Sequence, residues 1–336
     1  MSTWIFASSQ STNFPSIQIF LSAFIAEGRA VAAHYIASCL SEDTAGLLST
    51  LAEGRTTSQP VILSACRTPI GKFGRSLLGV GATRLGAIVV REAVKRAHVR
   101  PEEVDEVILG NVLSAGLGQN PARQAAIWGG LPPSVGAFTV NKVCGSALKA
   151  VMLAAQAVRA GDCELAVAGG AESMSNAPFL VRNMRWGRKY GDAGLVDAMI
   201  FDGLWDAFND YHMGITGEAI ATKFGITRME ADEFAFRSNS RAAAAWAGGR
   251  FDEEVVPVDV PCEDGSSTTF RKDECFRADT TLEKLAKLKP AFKPDGILTA
   301  GNSSQLSDGA SAVVVASEER AERMGAHPMA RIVGYG

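Results

Sequence analysis

The sequence lacks most of the patterns that point to a function directly. It has six cysteines (39, 66, 144, 163, 262 and 275) and no Cys-x-x-Cys pair. That spacing excludes a zinc site or a disulfide framework and fits a reducing compartment. No run of Lys or Arg occurs and the net charge is −3, so no nucleic-acid face is expected. No stretch of 18 consecutive apolar residues occurs, so no membrane-spanning helix is expected. No Gly-x-Gly-x-x-Gly follows a strand, because Gly116-Leu-Gly-Gln-Asn-Pro lacks the third glycine, and dinucleotide binding is set aside. What remains is a folding composition, 47% hydrophobic and 21% charged. The 336 residues suffice for two ordinary domains or one large one.

From Pro60 the apolar pattern becomes regular. Val61–Ser64 reads as a buried strand and Thr68-Pro69-Ile70-Gly71 as its turn. Apolar residues at 85, 88, 89 and 93 give Thr83–Ala97 a helical spacing. Val104–Leu109 reads as a strand and Pro121–Trp128 as a short helix opening on a proline. Ala137–Val140, Gly145–Arg159 and Leu165–Ala168 read as strand, helix and strand. This alternation predicts an α/β fold with a mainly parallel sheet covered on both faces. Ala171–Leu298 interrupts it with loops and helices rich in Trp, Met, Asp and Arg. Within that stretch Thr227-Arg-Met-Glu230 is a capping box for a helix reaching about Trp246. Val255–Val260 is strand-like and Thr281–Lys287 is a short helix. Ala312–Ala316 returns to a buried strand, Ser317 caps a helix, and Arg331–Tyr335 reads as a further strand.

Residues 1–59 stand apart as a poorly structured extension without a catalytic role. Ile17–Ile25 is a short apolar run and Ala30–Leu40 has the pattern of a small helix. The first arginine is Arg29, which argues against a secretory signal. Glu27, Glu42, Asp43 and Glu53 argue against a mitochondrial transit peptide. A cytoplasmic location is expected, and a mitochondrial one if this stretch serves as a transit peptide.

The chemistry centres on Cys144, in Val140–Ala150, Val-Asn-Lys-Val-Cys-Gly-Ser-Ala-Leu-Lys-Ala. It sits at the break between a strand-like and a helix-like run. Unpartnered N–H groups at a helix start point back at such a residue, and the helix dipole is positive there. A thiolate in that place is stabilised and its pKa is expected to fall, the setting of a nucleophilic cysteine. Gly145 and Ser146 are small enough for a substrate carbonyl to approach the sulfur. The local pattern leaves open a second reading, a buried cysteine filling core space.

The segment Asn-Lys-Val-Cys-Gly-Ser-Ala-Leu-Lys-Ala resembles the nucleophile segment of the thiolases. Val61–Gly71 (Val-Ile-Leu-Ser-Ala-Cys-Arg-Thr-Pro-Ile-Gly) resembles the first strand and turn of that family. Gly169–Asn176 resembles its Gly-Gly-Ala-Glu-Ser-Met-Ser loop, and Asp210–Gly214 and Thr299–Ala310 its coenzyme A loops. The resemblance runs from about Pro60 to the end, in family order. It implies a thiolase-like N-terminal half, a mixed sheet sandwiched by helices, with an inserted α+β loop domain at about 171–298 that holds coenzyme A. It further implies coenzyme A and acetyl-CoA as substrates, no prosthetic group, no metal, no membrane or nucleic-acid partner, and a homo-oligomer.

The resemblance also assigns site residues. Cys144 matches the nucleophile. Leu204, Met213, Phe292 and Ala300 match apolar walls of the pantetheine tunnel, Ser304 the serine bonded to the pantetheine arm, and Arg277 a position facing the nucleotide. Lys284 stands where biosynthetic members often carry serine; Gln305 and Ser307 are further departures. His212, in Tyr-His-Met-Gly, matches a histidine near the pantetheine; taken alone it fits a structural hydrogen-bonder as well. Glu172 and Asp308, in glycine-rich loops, read as turn caps.

The implied reaction is Claisen-type acyl transfer that makes or cleaves a short 3-ketoacyl-CoA such as acetoacetyl-CoA. It needs a base for the thiol, an acid/base for the carbon proton, and donors for both oxyanions. Thiolases take these from Asn-Glu-Ala-Phe, Gly-His-Pro and Cys-x-Gly-Gly-Gly motifs in a C-terminal half, none of which occurs in these residues. His327-Pro328 lies in the link between halves and is not such a motif; His34 and His98 have none around them. The chain by itself is therefore expected to be inactive or nearly so, with the apolar face that meets the second half exposed. The alternative is a non-catalytic thiolase-like chain that binds acyl-CoA or associates with an intact subunit. A ketoacyl synthase is a third reading, disfavoured by the long loop region and by Thr-Ala-Gly-Asn-Ser-Ser.

Overall fold

The computed structural model describes residues 58–336. The apolar run at 17–25 and the helix expected at 30–40 lie outside the described residues. The chain opens with β1 (Pro60–Arg67) and the short β2 (Gly71–Lys72), then α1 (Ala82–Arg96). A 3₁₀ turn at Pro101–Glu103 leads into β3 (Glu106–Gly110). Next come α2 (Pro121–Trp128), β4 (Gly136–Val140), α3 (Ser146–Ala160) and β5 (Leu165–Ser173). The proline signal for α2 is confirmed to the residue: Pro121 occupies its first turn, and the Asn120 side chain accepts from the Arg123 N–H.

A long excursion follows. It carries β6 (Phe179–Leu180), β7 (Val196–Asp197), α4 (Ala198–Gly203), β8 (Trp205–Asp206) and β9 (Tyr211–His212). Then come α5 (Met213–Phe224), α6 (Arg228–Ala247), β10 (Val258–Pro261), β11 (Ser267–Phe270) and α7 (Leu282–Ala286). The capping box of α6 forms as expected: Thr227 Oγ1 accepts from Glu230 N, and Glu230 accepts from Thr227 N at 2.7 Å. The chain then returns through β12 (Ser307–Ser317), α8 (Glu318–Arg323) and β13 (Ala330–Arg331). Ser317 caps α8, its Oγ accepting from Arg320 N at 3.0 Å. The strand expected at 331–335 shrinks to the two residues of β13, paired with Val61 and Ile62.

The sheet order is β13-β1-β12-β5-β3-β4, with β2 attached to β12. Only β3 runs parallel to its neighbours, β4 and β5; the ladders among β5, β12, β1 and β13 are antiparallel. The mainly parallel sheet expected from alternation is therefore corrected, and the mixed α/β sheet is what forms. The reason is β12. It arrives after the excursion, free of the short right-handed crossover that makes β3, β4 and β5 parallel.

The period-two alternation splits the apolar side chains between two faces. Val107, Leu109, Leu165, Val167, Ala312 and Val314 point at α1 and α2, where Leu85, Val89, Val90 and Ala125 meet them. Ile108, Ala166, Ala168 and Val315 point the other way, onto Ala150, Ala154 and Val158 of α3. Residues 143–160 reach a mean hydropathy of 1.2, so by length and composition alone α3 is apolar enough to cross a membrane. The sequence reading expected no such segment; alanines raise the mean despite Lys149 and Arg159. In the structure this helix packs its alanine stripe on the sheet.

Two predictions follow from this packing. A Cβ added at Gly169, on β5, would fall 2.0 Å from the Ser311 carbonyl oxygen of β12. Gly169→Ala should therefore lower the free energy of unfolding by about 2 kcal/mol or more, read as a reduced urea midpoint. The second concerns Glu103, which binds Arg100 and also Arg320 of α8. Hydrogen bonds from Arg100 first, and from Arg320, hold its carboxyl at about 2, below the ordinary 4.5. The stability this pairing contributes is present above pH 4.5 and is lost as pH falls through that window toward about 2. Arg320→Ala should raise the Glu103 midpoint in an NMR titration; an unmoved midpoint contradicts the assignment.

Candidate active site

Strands β3 and β4 end side by side, where Asn111 N donates to the Val140 carbonyl at 3.1 Å. Beyond Val140 the chain turns sharply into α3. Val143 takes φ +48°, a left-handed conformation that a β-branched residue rarely adopts and that costs about 1–3 kcal/mol. Cys144 comes next and is exposed. The reading of Cys144 as a core-filling thiol is thereby excluded. Gly145 is the N-cap of the 15-residue α3, which starts at Ser146, so Cys144 precedes the cap and lies one residue further from the helix than the sequence implied.

Several hydrogen bonds hold the turn. Val143 N donates to Asn141 Oδ1 at 2.9 Å. Ser146 Oγ accepts from Lys142 N at 2.8 Å and donates to the Val143 carbonyl at 2.6 Å. Gly145 N and Ser146 N donate to the carbonyls of Lys142 and Val143. Ser146 is buried, so it serves the turn and does not open a path for substrate.

Two glycines allow this helix start to sit on the sheet. A Cβ at Gly110 would lie 2.4 Å from the Ser146 carbonyl carbon, and one at Gly170 would lie 2.7 Å from Ala147 Cβ. The adjoining loops are fixed by carboxylates. Glu172 accepts from Val112 N, Leu113 N and Asn111 Nδ2 at 2.8 to 3.1 Å, while burial pushes its carboxyl up. Asp308, fully buried, accepts from Ser175 N at 2.9 Å and from the Ser173 hydroxyl. Both therefore cap turns.

In the excursion the structure gathers part of the predicted coenzyme A set. His212 is the N-cap of α5, its Nδ1 accepting from Gly214 N at 3.0 Å. Its ring stacks on Phe292 with centroids 5.1 Å apart and 19° between planes. Gly214 has to be glycine, since a Cβ there would fall 2.2 Å from the Phe292 ring. Met213 N donates to the Leu204 carbonyl at 2.8 Å, which brings Leu204, His212, Met213 and Phe292 together.

Ala300 and Ser304 are exposed on a segment held from behind. Buried Glu218 of α5 accepts from Ile297 N and Leu298 N, and Asn302 bridges Thr299 N to Asp232 of α6. Arg277 is exposed, its backbone N–H held by Asn239. Lys284 pairs with Asp279 at 2.6 Å. Among the described residues no hydrogen bond or ring contact ties Arg277, Ala300 or Ser304 to the His212–Phe292 pair. His98 and His327 are exposed.

Sequence reasoning missed Asn141, Ser146, Glu218 and Asn302 as structural members of the site. Asn141 had a readable signal, an Asx turn directly after a strand. Glu218, inside a helix, had none, since only the folded chain brings residues 297 and 298 to it.

An exposed cysteine on a strand-to-helix turn beside a mixed sheet, with a long insertion between β5 and β12, is the arrangement of an α/β protein of the thiolase type. The chain belongs to the thiolase family: the family described as thiolase, N-terminal domain, matches residues 60–319. An acetyl-CoA acetyltransferase of Cupriavidus necator is 56% identical over 275 residues, which cover 82% of this chain and 70% of that protein. A probable acetyl-CoA acyltransferase of Staphylococcus epidermidis is 51% identical over 279 residues, 83% of this chain and 71% of its own. The crystal structure of the Bacillus anthracis acetyl-CoA acetyltransferase superposes with a TM-score of 0.82 at 42% identity, covering 84% of this chain and 71% of that one.

The double role of His212 can be tested. His212→Ala removes the cap and the stack and should cost about 1 kcal/mol of stability, whereas His212→Asn keeps a capping acceptor and should recover most of it. Thermal unfolding of the two variants provides the comparison.

Proposed function

We propose that this chain carries the nucleophile and the coenzyme A loops of an acetyl-CoA C-acetyltransferase-type thiolase. The observation that carries the reading is Cys144, exposed on a held turn at the start of α3. In the reaction the Cys144 sulfur attacks the thioester carbonyl carbon of an acyl-CoA. The bond from that carbon to the coenzyme A sulfur breaks, coenzyme A leaves as the thiol, and an acyl-enzyme remains. A second acetyl-CoA, deprotonated at carbon two, then attacks the acyl carbon; the bond from that carbon to the Cys144 sulfur breaks, the proton from carbon two ends on that sulfur, and a short 3-ketoacyl-CoA leaves. Cleavage runs the same steps backwards.

Residues about 171–298 are read as the loop domain that holds the acyl-CoA. Leu204, Met213, Phe292 and Ala300 line the pantetheine arm, His212 and Ser304 give it polar contacts, and Arg277 faces the nucleotide. No prosthetic group is required. A cytoplasmic setting fits the bacterial relatives. Among the described residues the sheet ends at β4, and pairing along its outer edge is the proposed route to a homo-oligomer.

The three catalytic motifs of a thiolase C-terminal half do not occur in these 336 residues. By themselves these residues bind acyl-CoA and turn it over poorly, since each acid–base group contributes about 10²–10⁴ in rate. The exposed side chains of Leu148, Phe224, Met229 and Phe234 support this, being apolar surface that suits association. The same motifs motivate the second reading, a thiolase-like chain that binds acyl-CoA without turnover.

An acetyl-CoA titration combined with an acetoacetyl-CoA thiolysis assay and peptide mass spectrometry separates the two. The expected result is saturable binding, slow acetyl transfer onto Cys144, and thiolysis at least about 100-fold below that of intact relatives. Cys144→Ser should keep the binding and lose the acetyl transfer. Binding with no acetylated Cys144 would favour the second reading, and thiolysis at the relatives' rate would overturn the predicted deficit.

A further inference from the structure

We propose that Asn141 and Ser146 are positioning residues, which hold Val143 in its left-handed conformation and so fix Cys144 at the start of α3. The inference rests on the reading of Cys144 as the nucleophile, and concerns how the chain aims it. A β-branched residue at φ +48° returns to the extended or helical region unless something prevents it. Packing does not prevent it here, because Val143 is 52% exposed. The restraint comes through the backbone, and it reaches Val143 from both sides.

On one side the Asn141 carboxamide oxygen accepts the Val143 N–H at 2.9 Å. On the other, the Ser146 hydroxyl donates to the Val143 carbonyl at 2.6 Å while accepting the Lys142 N–H at 2.8 Å. One hydroxyl thus ties the Asn141–Lys142 peptide group to the Val143–Cys144 peptide group, spanning the strained residue. Ser146 is itself immobile: it is 4% exposed and its Cβ faces Gly110 with no room for a second carbon. The sheet therefore anchors Ser146, Ser146 and Asn141 anchor the turn, and the turn sets the direction of Cys144. If the brace is lost, Val143 is free to leave its strained conformation and the placement of Cys144 ahead of α3 changes with it.

The test uses the 336-residue chain and iodoacetamide, with peptide mass spectrometry to follow each cysteine separately. Cys66, 4% exposed, reports on the integrity of the fold. Asn141→Ala and Ser146→Ala should each slow alkylation of Cys144 by about fivefold or more while Cys66 stays unmodified. Asn141→Ser should recover most of the rate, because a hydroxyl can accept the same amide. Adding Val143→Gly to Ser146→Ala should also recover it, since glycine takes a positive φ without strain.

Unchanged rates in both alanine variants, or a slowing that neither Asn141→Ser nor Val143→Gly reverses, would overturn the proposal. If Ser146→Ala exposes Cys66, the decision passes to Asn141→Ala, whose side chain lies at the surface and whose loss opens no core. Acetyl transfer from acetyl-CoA to wild-type Cys144 is scored separately. Its absence would count against the nucleophile reading and leave the brace, measured by alkylation, standing.

Discussion

The candidate site depends on how closely the start of α3 approaches the sheet. Gly110 ends β3 and Gly170 lies within β5, both against Ser146 and Ala147, where a Cβ would collide with the start of the helix. That contact buries Ser146, and the buried hydroxyl in turn holds the left-handed Val143. Cys144, exposed, lies between these held residues. A reactive side chain on a strained, hydrogen-bonded turn needs little reorganisation to meet its substrate, and rigid support of this kind is what a positioned nucleophile requires.

The acidic groups around the candidate site serve its loops. Glu172, Asp308, Glu218 and Asp232 are the carboxylates placed in or behind the site, and each is already engaged. Glu172 and Glu218 take backbone N–H groups of the loops they fix. Asp308 holds the serine loop after β5, and Asp232 is shared between Arg228 and Asn302. His212 is committed too, as the cap of α5 and the stacking partner of Phe292. These residues therefore build and hold surfaces.

Local signals in the sequence were reliable wherever the structure is local. Pro121 with Asn120, the Thr227–Glu230 capping box and the Ser317 cap all form as read, because each is a hydrogen bond closed within a few residues. The place of Cys144 between β4 and α3 was legible for the same reason. The direction of the sheet was not. Alternating elements suggested parallel strands, but β12 returns from a long excursion and inserts antiparallel between β1 and β5. No local pattern encodes that register. Ser146 illustrates a second limit: its small size was visible, but its burial against Gly110 came only with the fold. His212 was marked as a binding residue by its motif, and its capping of α5 became visible only once the helix start was in place.

The central claim is that Cys144 and the coenzyme A loops form one site. The most direct measurement is the alkylation rate of Cys144 in the presence and absence of saturating coenzyme A, with Cys262, in the turn of the β10–β11 hairpin, as reference. The account predicts that bound coenzyme A protects Cys144 and leaves Cys262 unchanged. Coenzyme A that binds while Cys144 reacts at its free rate would contradict it.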